Sequence, residues 1–394
     1  MDNVFMDKNR HLANSGRFLI LLAALGYGPA VIAGAIPTHM DRSLLPKSCI
    51  SCHGGGHGAK KTALLKTDAY HACLSCHDNR SRERDVRITP RTEMRDVQGK
   101  ASHHPVEETG SLHWKGEGIG ANDLRAERHV ACGDCHDPHW STPEKPYARV
   151  DGINSFGIRV PQAQAEYEVC FKCHGDNANL PKTERNKRLE FYPSNPSYHP
   201  VEAQGKSSNV PSLMSPWSVT STITCSDCHN NDNGLGPRGP HGSIYSPILV
   251  LNYGTQDGFQ ESNFQYALCY KCHNRQSILG DKSFPFHSLH IVRAKASCFT
   301  CHNSHGSQTN THLIRFNPKV VGLPVQQQSP AIRRPLAAPL ANGGAQLSFS
   351  ALPLIDQTSF TAGSTELGRY VDFGNGHGEC FLSCHGIVHN PASY

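Results

Sequence analysis

Cys132-Gly133-Asp134-Cys135-His136-Asp137-Pro138-His139 is the stretch that decides how the chain folds. Its core, two cysteines three apart with a histidine directly after the second, recurs at Cys49/Cys52/His53, Cys73/Cys76/His77, Cys170/Cys173/His174, Cys225/Cys228/His229, Cys269/Cys272/His273 and Cys298/Cys301/His302. An eighth copy, Cys380-Phe381-Leu382-Ser383-Cys384-His385, carries one extra residue. Together these motifs use all 16 cysteines. With 25 histidines in 394 residues, independent placement would put one after all eight pairs with a probability of roughly 10⁻¹⁰.

A disulfide framework explains an even cysteine count but not eight adjacent histidines. Zinc knuckles built from paired Cys-x-x-Cys elements do not require a histidine directly after the second thiolate. Covalent haem does. In one helical turn, side chains at i, i+3 and i+4 share a face. Cysteines at i and i+3 then reach the two vinyl groups of one porphyrin, while histidine at i+4 rises to the iron, which is the spacing of c-type haem attachment. The expectation is eight covalent haem c groups, with His53, His77, His136, His174, His229, His273, His302 and His385 as first axial ligands. At the eighth site the additional residue is expected to bulge from the turn, as in a local π-type widening.

The sixth ligand separates electron transfer from catalysis, because an open iron binds substrate and a closed one does not. Beyond the N-terminal leader there are three methionines (Met40, Met94, Met214) but sixteen histidines outside the motifs, so bis-histidine ligation with low potentials is expected. Histidines in recurring contexts rank first: His104 and His199 before proline, His139, His241 and His305 shortly after a motif, and His57 and His389 four residues after a motif histidine. For the eighth place His290 is preferred over His287, with His39 close behind. A histidine three residues after a motif histidine cannot easily return to the far side of its own iron, so it should serve a neighbouring haem.

The motifs fall into doublets whose first cysteines lie 24, 38, 44 and 82 residues apart. His104-Pro105-Val106-Glu107 precedes Cys132 by 28 residues and His199-Pro200-Val201-Glu202 precedes Cys225 by 26, so the middle of the chain reads as a duplicated two-haem unit. Asp151–Val160 and Ile244–Tyr253 alternate well enough for short strands. Five prolines between 318 and 340 mark an extended connector, followed by expected strands over Gln346–Ile355 and Ser359–Thr361. The expected division is a leader over 1–35, a first two-haem unit over 36–100, duplicated two-haem units with the seventh haem over 101–316, connector and short strands over 317–376, and a C-terminal haem segment over 377–394. The fold class is irregular and haem-organised, with short helices at the motifs and few short strands.

Hydrophobic residues make up only 37% of the chain, with 35 glycines and 26 prolines, so the haems are expected to supply missing apolar mass. Lys8, Arg10 and Arg17 precede an apolar run from Phe18 to Ala35 ending in Ala33-Gly34-Ala35, the pattern of a signal peptide cleaved before Ile36. An uncleaved anchor is the alternative. Without the leader the formal charge is +4, and sixteen haem propionates would outweigh it, which excludes a nucleic-acid binder built on a clustered basic surface.

The paired motifs, together with Cys135-His136-Asp137-Pro138-His139, Cys301-His302-Asn303-Ser304-His305-Gly306-Ser307 and the ending Cys384-His385-Gly386-Ile387-Val388-His389-Asn390-Pro391-Ala392-Ser393-Tyr394, resemble the doubled-CxxCH family of multihaem c-type cytochromes, found especially among metal-reducing bacteria. The likeness covers most of residues 45–316 and the C-terminal tail. It implies a chain of closely spaced haems conducting electrons through the periplasm, into an outer-membrane porin–cytochrome conduit or along an extracellular filament. Its partners would be other multihaem cytochromes, a porin or further copies of the chain. The rival reading is an octahaem oxidoreductase of the nitrite or hydroxylamine type with one open haem. Eight motif histidines and surplus imidazoles argue for a carrier rather than an enzyme.

Overall fold

A computed structural model describes residues 38–45, 51–53, 65, 67, 69–78, 94–106, 130–176, 184–234, 236–322 and 368–394. The leader, Cys49, His57, most of the connector and the strands expected at 346–355 and 359–361 lie outside the described residues. Within them the architecture is irregular. The longest helices, Ala69–His77 and Glu166–His174, have nine residues each. Most others are single turns: Cys132–Cys135, Ala267–Tyr270 and Cys298–Cys301, with a 3₁₀ turn at Cys225–Asp227. The strands are β1 (Ser102–His103), β2 (Gly152–Ile153), β3 (Arg159–Val160), β4 (Ser197–Tyr198), β5 (Gly242–Ser243), β6 (Gly306–Ser307), β7 (Val321–Gly322), β8 (Arg369–Gly374), β9 (His377–Cys384) and β10 (Ile387–Ser393).

The interior is not an aliphatic core. Among the described residues 17 apolar and 16 polar or charged side chains are buried, and nine of the apolar ones gather in three small clusters. These are Val150/Ala163/Val169, Phe171/Phe191/Val201 and Phe316/Val321/Leu382. Cysteines of the motifs line all three: Cys135, Cys225, and Cys301 with Cys380 and Cys384. Each cluster holds three buried apolar residues among the described ones.

The duplication is explicit in three dimensions. The short helix Met94–Gln98 leads into β1, which pairs antiparallel with β5, Ser102 opposite Ser243 and His103 opposite Gly242. The short helix Lys187–Phe191 leads into β4, which pairs with β6 in the same register, Ser197 opposite Ser307 and Tyr198 opposite Gly306. In both, the His-Gly-Ser segment needs its glycine. A Cβ on Gly242 would stand 2.0 Å from the Val97 carbonyl oxygen, and one on Gly306 2.1 Å from that of Glu190. No side chain fits where backbones approach this closely.

Of the two strand-like segments expected mid-chain, Asp151–Val160 contains the β2–β3 hairpin, Gly152 opposite Val160. Ile244–Tyr253 does not form a strand. It turns through the cis Ser246–Pro247 bond, and Leu249 makes isolated bridges to Tyr245 and His229. The C-terminal segment departs most from expectation. Cys380 and Cys384 lie not on a widened helical turn but on β9, the longest strand, which pairs with β10 on one side and with β7 and β8 on the other. Two tight turns with positive φ close these strands, Gly374-Asn375-Gly376 and His385-Gly386.

Candidate functional site

At the regular motifs the sequence builds one hydrogen-bonded turn. The histidine N–H donates to the carbonyl of the first cysteine at His136, His229, His273 and His302, at 2.8–3.0 Å. Acidic side chains inside the motif stabilise the start of the turn by accepting from the orphan N–H ahead of it. Asp134 Oδ2 accepts from Ala131 N at 2.7 Å and Asp227 Oδ2 from Thr224 N at 2.8 Å. In the second motif of each duplicated doublet, a lysine reaches back to the first. Lys172 Nζ donates to the Asp134 carbonyl and Lys271 Nζ to the Asp227 carbonyl, both at 2.5 Å.

The imidazoles come in twos. Ring centroids stand 5.8 Å apart in His39/His77, 6.0 Å in His53/His139, 6.3 Å in His104/His174 and 6.0 Å in His136/His241. They stand 6.4 Å apart in His199/His273, 6.2 Å in His229/His305, 6.3 Å in His287/His302 and 6.2 Å in His290/His389. A metal–imidazole bond of about 2.0–2.1 Å plus about 1.1 Å from nitrogen to ring centre puts two imidazoles on opposite sides of one metal about 6.3 Å apart. The eight pairs therefore leave room for one iron each, and no histidine belongs to two of these pairs.

Tautomer and charge fit the same role. Nδ1 is committed to an oxygen in His104 (Pro240 carbonyl, 2.7 Å), His136 (Pro146, 2.8 Å), His229 (Pro247, 2.9 Å), His302 (His312, 2.9 Å) and His290 (Phe286, 2.7 Å). His199 Nδ1 meets the Ser304 carbonyl, His273 Nδ1 the Ser212 hydroxyl at 2.9 Å and His305 Nδ1 the Glu190 carboxylate at 3.1 Å. Such partners orient a ligating ring and leave Nε2 for the metal. Burial pushes His77, His229, His241, His273 and His287 down to about 4, so these rings are neutral near pH 7 and able to donate a lone pair.

The pairing has a rule that sequence reading did not reach. His139, His241 and His305, each trailing a motif, face the motif histidine two motifs earlier: His53, His136 and His229. The histidines ahead of the motifs, His39, His104 and His199, face His77, His174 and His273. The seventh motif has no such trailing partner, and His287 faces His302 instead. His39 and His287 thus occupy places for which they ranked behind His290. Among the described residues no imidazole faces His385. Its Nε2 lies 2.7 Å from Asp257 Oδ2.

Sulfur atoms neighbour one another in chain order. Cys52 lies near Cys73, and the Cys73 thiol is hydrogen-bonded to Cys132. Cys135 lies near Cys170 and Cys173, Cys170 is hydrogen-bonded to Cys225, and Cys228 lies near Cys269 and Cys272. Cys298 is hydrogen-bonded to Cys269, and Cys301 lies near Cys380 and Cys384. Burial pushes Cys135 and Cys301 up to about 12.

Cys76 lies near Cys73, on the last turn of the helix Ala69–His77, with its sulfur 3.8 Å from the hydroxyl of its chain neighbour Ser75. The Ser75 hydroxyl is itself held by the Ala72 carbonyl at 2.7 Å. No disulfide forms among the described cysteines. Nor does any group of three or more His, Cys, Asp or Glu side chains among the described residues converge as a metal cluster.

A family model described as the doubled CXXCH motif matches residues 45–82 and 126–179, which hold the first four motifs. No curated protein and no solved structure matches the chain. On the matched residues this chain carries the doubled CXXCH motif, which implies covalent haem c and supports the family of multihaem c-type cytochromes, proteins of electron transfer.

Proposed function

We propose that the chain is an octahaem c-type cytochrome in which electrons pass along eight bis-histidine haems in the order of their motifs. The carrying observation is the set of eight exclusive imidazole pairs at 5.8–6.4 Å. Histidine on both axial faces closes the iron to substrate and lowers its potential relative to Met/His sites, which favours a carrier over a catalyst. Cysteines of consecutive motifs lying near one another support short edge-to-edge gaps in sequence order. When bound, the haems supply the redox chemistry. The chain's own residues hold the imidazoles in pairs, and burial keeps those of His77, His229, His241, His273 and His287 neutral.

The same reading includes export, through the leader ahead of Ile36, to the periplasm or to an outer-membrane or extracellular site. The partners that fit are other multihaem cytochromes and a porin or further copies of the chain. Electron paramagnetic resonance and absorption spectra of the oxidised holoprotein test the ligation directly. Eight low-spin haems per chain are expected. A high-spin, five-coordinate component in the unmodified protein would replace the carrier by an enzyme with an open site.

A further inference from the structure

The eighth site is the one place where motif histidine and paired histidine are not the same residue. In the other seven pairs one member directly follows a second cysteine: His53, His77, His136, His174, His229, His273 or His302. In the eighth pair, His290/His389, neither does.

Backbone geometry explains the exchange. Side chains alternate faces along a strand, so Cys380, Leu382 and Cys384 on β9 share one face. His389 on β10 sits directly opposite Leu382, and directly opposed residues of an antiparallel pair point to the same side. His389 is therefore centred between the two cysteines on the face that bears their sulfurs. His385 occupies the two-residue turn joining β9 to β10, with φ of 47° at His385 and 80° at Gly386, beyond the end of that face. In a helical turn it would have risen over the cysteines as the other motif histidines do. At the tip of a hairpin it turns away from them.

The committed nitrogen points the same way. His290 presents the pattern of the other pairs, with Nδ1 on the Phe286 carbonyl and its ring towards its partner. It sits on a π-helical turn, Leu289–Arg293, and faces His389, while His287, two residues ahead of that turn, faces His302. His385 instead commits Nε2, the nitrogen an axial ligand needs, to Asp257. Asp257 is buried at 8% side-chain exposure, whereas His385 is 56% exposed. The other Asp257 oxygen, Oδ1, accepts from Ser297 N at 2.7 Å and Thr300 Oγ1 at 2.5 Å, at the start of the seventh motif turn.

We propose that the eighth iron is held between His290 and His389, and that His385 is a positioning residue tying the hairpin tip through Asp257 to the seventh motif. This rests on the bis-histidine reading above. The eighth haem is thus bound by register across two strands, and its contact with the seventh is fixed by one carboxylate that serves both.

The test uses haem-loaded full-length protein and compares His389→Met and His385→Gln with the unmodified chain by spectroscopy of the oxidised state and haem count by mass. The unmodified chain, entirely low-spin, establishes the bis-histidine reading independently. His389→Met is expected to convert one haem in eight to methionine or high-spin ligation, or to lose that haem. His385→Gln is expected to keep eight low-spin haems. Eight unchanged bis-histidine haems in His389→Met would overturn the proposal, as would a high-spin haem in His385→Gln. For the positioning role, His385→Ala should speed hydrogen exchange in residues 377–393, and the glutamine variant should restore protection. Equal exchange in all three proteins would overturn that role.

Discussion

The duplicated middle and the C-terminal hairpin reach the same imidazole spacing by different physics. In the middle, one helical turn fixes two sulfurs and a histidine at once, because neighbours on a helix face lie about 5–6 Å apart. The motif is then sufficient by itself, and Lys172 and Lys271 dock each second motif on the first in the same way. In the hairpin, Cys380 and Cys384 lie four positions apart on one strand, about 13 Å of extended chain. Their relation to His389 depends on strand pairing, not on local sequence. A short-range motif can therefore specify a haem site only where the backbone is helical. Elsewhere the site is a tertiary product.

That contrast can be broken most sharply at the cysteines. Cys225→Ala/Cys228→Ala should remove one haem, separate the first four haems from the last three, and abolish electron passage from end to end as read by rapid-reduction kinetics. Cys380→Ala/Cys384→Ala should also remove one haem but leave seven contiguous ones and their kinetics intact. Comparable kinetic loss in both would contradict a linear order. Leu382→Ala comes next. It removes a buried side chain from the Phe316/Val321 cluster and should cost about 3 kcal/mol, within the range for leucine truncation. In chemical denaturation the loss should appear as early fraying of the hairpin, with the middle unfolding where it did before.

Gly306→Ala and Gly242→Ala probe the duplicated strands. Each forces a methyl against a backbone carbonyl and should cost about 2 kcal/mol by overpacking. The two values should agree closely, since the two units share one register. The smallest effect separates the lysines. Lys172, with 4% side-chain exposure and a second bond to Asp151 Oδ1 at 3.1 Å, should cost about 1.5–2 kcal/mol as Lys172→Met through lost charged hydrogen bonds. Lys271, with 32% exposure, should cost below about 1 kcal/mol in the same substitution. Equal costs would show that burial does not distinguish the two units.

The sequence carried the seven regular motifs and the duplication in plain form, because helical spacing and repeated tetrapeptides are local. It carried the pairings less well. Sterics lead one to expect His139, His241 and His305 beside a neighbouring motif, but for His241 and His305 the reach back over two motifs goes with β5 and β6, strands of two residues that no alternation pattern reveals. Nor does the spacing of Cys73 and Cys76 tell which of the two sulfurs turns towards the next motif, since that depends on where Cys132 lies in the fold. The C-terminal sheet was missed for another reason. Reading Cys380–His385 as a stretched helical turn hid the strand, although Asn375-Gly376 and His385-Gly386 bracket an eight-residue run with the turn chemistry of hairpins. The exchange of His385 for His389 proposed above rests on the hairpin register, which the local sequence does not display.

Iron positions decide the account most directly. A crystal structure of the haem-loaded chain phased on iron anomalous scattering should give eight iron peaks, each midway between the two imidazoles of one pair named above and following one another in motif order. Fewer than eight peaks, an iron beside His385, or peaks away from the midpoints of these pairs would contradict it.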